Sequence, residues 1–253
     1  MTSSTKSLLV KVPSVTAIFW IIKILATTVG ETFADFLNDK LGFGLSGTSL
    51  IMGGALAIAL LVQFSIKRYI PVVYWLAIVL ISVAGTLITD NLTDNLGVPL
   101  WISSLVFAAL LGITFAVWFS GERTLAMKSI VTKKREAFYW LAILLTFALG
   151  TATGDWLAEA VGLGYGISAL VYGAAIALVV SLWKRGLIGE ITAFWIAYIL
   201  TRPLGASIGD LLSQNHKNGG LGLGPTNTSY IFLAAILVSV IYLSVSKRDQ
   251  LKA

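Results

Sequence analysis

Four times in this 253-residue chain a Trp is followed ten residues later by Gly and fifteen residues later by Asp. The sets are Trp20/Gly30/Asp35, Trp75/Gly85/Asp90, Trp140/Gly150/Asp155 and Trp195/Gly205/Asp210. Each lies in or against a strongly apolar run, where an ionisable side chain is expensive and points to function. A spacing that returns through the whole chain marks a structural unit built several times, and this limits the fold more than any single motif does.

Composition decides the solvent of that unit. With 57% hydrophobic and 12% charged residues and a mean hydropathy of +0.88, the chain has too little polar surface to face water all round. Apolar runs near the ~20 residues that cross a bilayer recur throughout. They predict eight transmembrane helices, at 14–39, 46–66, 70–94, 100–120, 135–159, 166–183, 188–213 and 226–246. The expected class is an all-α polytopic membrane protein made of four parallel two-helix repeats in a pseudo-symmetric bundle.

The Trp anchors stand 55, 65 and 55 residues apart, which groups the repeats as two pairs. The expected division is a tail 1–11, repeats at 12–68 and 69–122, a basic linker 123–134, repeats at 135–186 and 187–246, and a tail 247–253. Lys6 and Lys11 before an apolar stretch resemble a signal peptide, but cleavage would remove the first repeat, so a retained helix is expected. Each unit reads as a long helix, a Gly-bearing turn and a shorter helix. Thr48, Ser103, Ser168 and Thr228 sit at the expected start of the second helices, where hydroxyls cap free N–H groups.

Charge orients the chain. Lys6, Lys11, Lys67, Arg68, Arg123, Lys128, Lys133, Lys134, Arg135, Lys184, Arg185, Lys247, Arg248 and Lys252 fall on the side of both termini, against Lys40 and Lys217 on the other. That asymmetry predicts cytoplasmic termini and explains the basic balance without nucleic acid. The chain has no Cys, so thiol chemistry and disulfides are excluded.

Steps of four along the odd helices trace one face. It reads Lys23, Thr27, Glu31, Asp35 in the first repeat and Ile78, Ser82, Thr86, Asp90 in the second. The third gives Ile143, Phe147, Thr151, Asp155, and the fourth Tyr198, Arg202, Ala206, Asp210. Beside it run small residues four apart: Gly30/Ala34, Gly85/Thr89, Gly150/Gly154 and Gly205/Gly209. Small-xxx-small spacing lets helices approach closely in lipid. The odd helices are therefore expected inside and the apolar even helices outside.

Glu31, Asp35, Asp90, Asp155 and Asp210 are the candidate cation or proton path and the candidate metal ligands, since intramembrane acids usually serve ions or protons. The competing reading makes the four Asp interfacial, with Asp90-Asn91 a helix end emerging into water. Asp39, Asp94 and Glu159 read as solvated. Lys23 and Arg202 are expected counter-charges. Arg202-Pro203 predicts a kinked, site-forming seventh helix, because Pro removes a backbone donor.

No enzyme chemistry is expected. Gly44-Leu45-Ser46-Gly47 resembles a serine-nucleophile string, but the single His, His216, lies in a loop and supplies no base. No cofactor is expected. Through its four Trp and the Gly and Asp that follow, the chain resembles a bacterial membrane-protein family of four tandem two-helix repeats of unknown function. The resemblance implies the fold and an inner-membrane location, and no activity.

Function then rests on the carboxylates. The leading expectation is a transporter or exporter of cations, a metal ion coupled to protons, because carboxylates suit hard ions such as magnesium or manganese. The alternatives are a channel lined by the odd helices, or a non-transporting scaffold or sensor.

Overall fold

The computed structural model describes residues 10–250. Lys6 and Lys252, with residues 1–9 and 251–253 of the expected tails, lie outside the described residues. Eight helices among the described residues are long and apolar enough to cross a membrane. We number them α1 (Ala17–Asp35), α2 (Gly44–Ser65), α3 (Pro71–Asp90), α4 (Leu100–Glu122), α5 (Lys133–Asp155), α6 (Tyr165–Lys184), α7 (Glu190–Ser213) and α8 (Gly224–Ser246). Local chemistry starts several of them. Thr16 accepts from the Phe19 amide, Thr132 accepts from Arg135, and Pro71 opens α3.

The odd helices form a closed inner ring in the order α1, α3, α5, α7 and back to α1. The even helices lie outside and expose residues such as Leu50, Leu61, Leu105, Leu170 and Val238. Each even helix packs chiefly on the odd helix that follows it: α2 on α3, α4 on α5, α6 on α7, and α8 back on α1. The cover of each inner helix is thus supplied by the preceding repeat.

The ring is held by glycine. A Cβ at Gly30 would overlap Ser82, one at Gly85 would meet Phe147 Cβ at 2.7 Å, one at Gly150 would overlap Arg202, and one at Gly205 would overlap Thr27. The glycine of each repeat therefore receives the residue seven past the Trp of the next, four times around. The second small positions do the same more loosely, Gly154 against Pro203 and Gly209 against Thr28 and Glu31.

Three features depart from the sequence reading. The helix after Asp35, Asp90 and Asp155 does not stop but widens into a single π turn, at Phe36–Lys40, Asn91–Asn95 and Trp156–Ala160. Asp90 is therefore no helix end: Asn91 donates to Leu87 O at 2.6 Å and to Ser49 Oγ at 2.9 Å as the chain continues. Second, Pro203 does not interrupt its helix. α7 runs as one helix to Ser213, and the proline ring fits against Gly150, which has no Cβ to meet it. Third, Thr48, Ser103, Ser168 and Thr228 are not caps. Their helices start three or four residues earlier, in three cases at or just after a left-handed glycine, Gly44, Gly164 or Gly224. All four hydroxyls are buried, and Thr228 donates within its own helix to Gly224 O at 2.9 Å.

Glycine contacts of this kind fix a stability test. Gly85→Ala pushes a methyl into the backbone of α5 and should cost about 1–3 kcal/mol, as overpacking does. Gly54→Ala, where nothing stands within 4 Å, should hold or slightly raise the melting temperature in detergent, since Ala is the better helix former. Equal melting temperatures for the two variants would contradict the close approach.

Candidate functional site

The inward face of the ring stacks its side chains in layers, one from each repeat. At the layer eleven past each Trp stand Glu31, Thr86, Thr151 and Ala206. The guanidinium of Arg202 reaches into this layer and touches every repeat. Its Nη2 donates to Glu31 Oε2 at 2.9 Å, to Thr151 Oγ1 at 2.7 Å and to Thr86 Oγ1. Its Nη1 donates to Thr27 O at 3.1 Å. Ala206, in the same helix, leaves room for the fork. Such charge-assisted bonds are the strong ones, and the guanidinium spreads its donors over several acceptors at once.

Toward the helix turns, a cavity of about 300 Å³ opens above this clamp. Glu31, Asp35, Asp90, Asp155 and Asp210 line it, and so do Asp39, Asp94 and Glu159 nearer the rim. Eight of the 12 acidic residues of the chain therefore share one vestibule. Within it, Glu31, Asp155 and Asp210 each offer an oxygen, all within 4.8 Å of one another. Asp35 and Asp90 line the same cavity outside this trio. Asp210 is 6% exposed, and among the described residues no donor reaches its carboxylate. A bound Ca²⁺ stands about 2.3–2.6 Å from its oxygens, so a 4.8 Å spread is one that a single hard cation spans. Among the described residues Glu31 is the one acid of the vestibule in an ion pair.

Below the clamp, Thr27 donates to Ile24 O at 2.6 Å and to Thr201 O at 3.3 Å, and Ser82 is fully buried. Lys23 corrects one expectation. It is not a counter-charge to the carboxylates, although Arg202 is. Eight residues before Glu31 on one helix is about 12 Å, and Arg202 stands between. The Lys23 ammonium, fully buried, instead lies 3.9 Å from the Phe147 ring centroid and 4.3 Å from that of Tyr198. Ring faces attract a cation by about 0.5–2 kcal/mol.

The repeated Trp residues pack inward, and the residue before each completes a pattern that the spacing analysis missed. Phe19-Trp20, Tyr74-Trp75, Tyr139-Trp140 and Phe194-Trp195 form a closed belt of ring contacts. Phe19 meets Trp75 at 5.5 Å, Tyr74 meets Trp140 at 5.5 Å, Tyr139 meets Trp195 at 6.3 Å, and Phe194 meets Trp20 at 5.7 Å. The hydroxyls of Tyr74 and Tyr139 meet at 2.5 Å. The recurring aromatic-Trp dipeptide was the available signal. The axis is thus open at the helix turns, clamped in the middle and closed by rings on the side of the termini. Closure continues beyond the rings, where burial pushes the Asp249 carboxyl, bonded by the Tyr69 hydroxyl, above the ordinary carboxylate range.

Fold and site together define a membrane-type helical protein built of four tandem two-helix repeats around an acid-lined vestibule. The chain belongs to the family described as Repeat of Unknown Function (DUF347), which it matches at residues 18–69, 73–124, 138–186 and 193–249. No curated protein and no solved structure matches it.

The clamp is open to a double-mutant test. Arg202→Met leaves Glu31 buried without its cation, a loss of about 3–5 kcal/mol. Arg202→Met with Glu31→Gln should recover part of that loss. Additive losses in thermal melting would show that the two residues do not act as a pair.

Proposed function

We propose that this protein is a transporter of hard cations, a metal ion exchanged against protons, seated in the bacterial inner membrane with both termini in the cytoplasm. The observation that carries the reading is the vestibule itself: eight acids around one cavity, with three carboxylates converging at its base. A cleft lined by one sign of charge concentrates the opposite ion. Oxygen ligands alone, without His or Cys, suit magnesium, manganese or calcium over softer metals.

The residues divide the work. Asp39, Asp94 and Glu159 attract the ion at the rim, Asp35 and Asp90 pass it inward, and Glu31, Asp155 and Asp210 hold it. Glu31 is shared with Arg202, so an arriving cation competes with the guanidinium for the same carboxylate. Binding then loosens the one contact that joins all four repeats, which couples occupancy to helix movement. Protons leaving the carboxylates balance the charge that arrives.

The second reading, a channel along the same axis, is weakened by a specific observation. The fixed guanidinium of Arg202, the buried amine of Lys23 and the aromatic belt stand in line below the vestibule. A free cation meets repulsion and then closed rings, which favours exchange over open conduction. The positive-inside bias of the loops supports the orientation.

Manganese should raise the melting temperature of the purified protein and cross proteoliposomes containing it. Asp155→Asn and Asp210→Asn should each weaken the melting shift by at least about tenfold in concentration, since even outer-shell losses cost about 10–100-fold. Flux should fall with it while the fold persists. No shift with manganese, magnesium or calcium at any pH between 5 and 9 (roughly the range over which perturbed carboxylates titrate) would sink the reading.

A further inference from the structure

The segment Val10–Ser14, just before α1, is a strap with no helix or strand, bent at Val12, and residues 10–13 of it are buried. It crosses the terminal side of the bundle and joins four separate parts of the chain. Lys11 N donates to Ile130 O at 3.2 Å, in the linker between the halves, and Tyr69 N, before α3, donates to Val10 O at 3.1 Å. Ser14 N donates to Asp249 O at 2.8 Å, after α8. The fourth tie is ionic. Lys11 Nζ lies 2.5 Å from Glu136 Oε2 in the first turn of α5, with both side chains buried. Gln63 Nε2 at the end of α2 donates to the other oxygen of Glu136 at 3.1 Å, and Lys11 Nζ also donates to Phe64 O at 3.2 Å.

This network sits directly behind the aromatic belt. Glu136 is four residues before Trp140, and the Tyr69 ring meets that of Tyr74 at 5.6 Å. It also breaks the fourfold pattern. The positions equivalent to Glu136 in the other repeats are Thr16, Pro71 and Ile191, none of which carries a charge. A buried ion pair is a poor way to gain stability, since apolar replacements of similar volume often do as well, and its best-attested use is to select one of two arrangements. A polar latch at the closed end of an otherwise symmetric bundle has that form.

We propose that the Val10–Ser14 strap is the latch of a gate on the terminal side, and that the Lys11–Glu136 pair parts when the bundle opens there. The proposal rests on the transport reading, because a site reached from one end must be reached from the other for cargo to cross. The vestibule side is open while the latch is shut, so the strap defines one of two alternating states.

The chain has no Cys, so a single reporter thiol can be placed without background. Ile78→Cys lies on the inward stripe, between the belt residue Trp75 and the clamp layer at Thr86, and meets none of the ring glycines. A membrane-impermeant maleimide applied to the terminal face should label it slowly in the otherwise unchanged protein. Lys11→Met and Glu136→Gln should each speed labelling at least about tenfold, the scale of a 1.4 kcal/mol shift between two states. The swap of Lys11→Glu with Glu136→Lys should return the rate toward its starting value. Should a single variant fail to fold, Lys11→Met with Glu136→Leu replaces the pair by apolar contact and should hold the strap shut, with slow labelling and low manganese flux. Unchanged labelling in folded single variants, or fast labelling in the apolar pair, overturns the latch. The manganese melting shift, which depends on the distant vestibule, should persist in every latch variant. Its absence from the starting protein would count against the transport reading and leave the labelling result to stand by itself.

Discussion

Each inner helix meets the next at a glycine, and the spacing of those contacts sets everything on the axis. A Cβ at Gly150 would overlap the stem of Arg202. Because none is there, α5 and α7 come close enough for the guanidinium to sit at the centre and reach Glu31, Thr86 and Thr151 on three other helices. Widen one of the four contacts and the fork no longer reaches all of its acceptors. In lipid, where apolar side chains gain nothing by leaving their surroundings, close backbone approach and interhelical hydrogen bonds are what hold helices together. Here the first makes the second geometrically available.

Symmetry and its violations then divide the labour. The glycines, the aromatic-Trp pairs and the four Asp are present in every repeat and build a body with a ring at one end and an acid-lined mouth at the other. The residues that act singly are unique to one repeat: Lys23 and Glu31 in α1, Arg202 in α7, Glu136 in α5. A fourfold-symmetric axis can hold an ion only on its centre line. Placing one glutamate and one arginine on it pulls the carboxylate trio to one side, toward α1, α5 and α7.

Much of this was legible in the residues, and the parts that were not share a cause. Apolar length and the Trp–Gly–Asp frame located all eight helices to within a few residues, since both signals are carried by the local sequence. The inside face followed from the stripe, because polar groups in lipid must turn inward. Lys23 departs from the expectation because burial and charge predict that a lysine needs a partner without saying which; two ring faces flank its amine, and among the described residues no acceptor reaches it. The hydroxyls at Thr48 and Ser103 were misread because cap position depends on where the preceding turn ends, and left-handed glycines moved that point. The π turns leave no composition signal at all. The pairing of each even helix with the next repeat depends on handedness, which a linear pattern does not carry.

That last pairing makes the chain a circle in all but its covalent bonds. The outer wall of α1 is α8, so the first helix of the first repeat is covered by the last helix of the fourth. On one face Ser14 N donates to Asp249 O, which ties the segment before α1 to the one after α8. The ring therefore has no structural beginning. The packing that closes it is the same at all four joints, α8 on α1 as α2 on α3, α4 on α5 and α6 on α7.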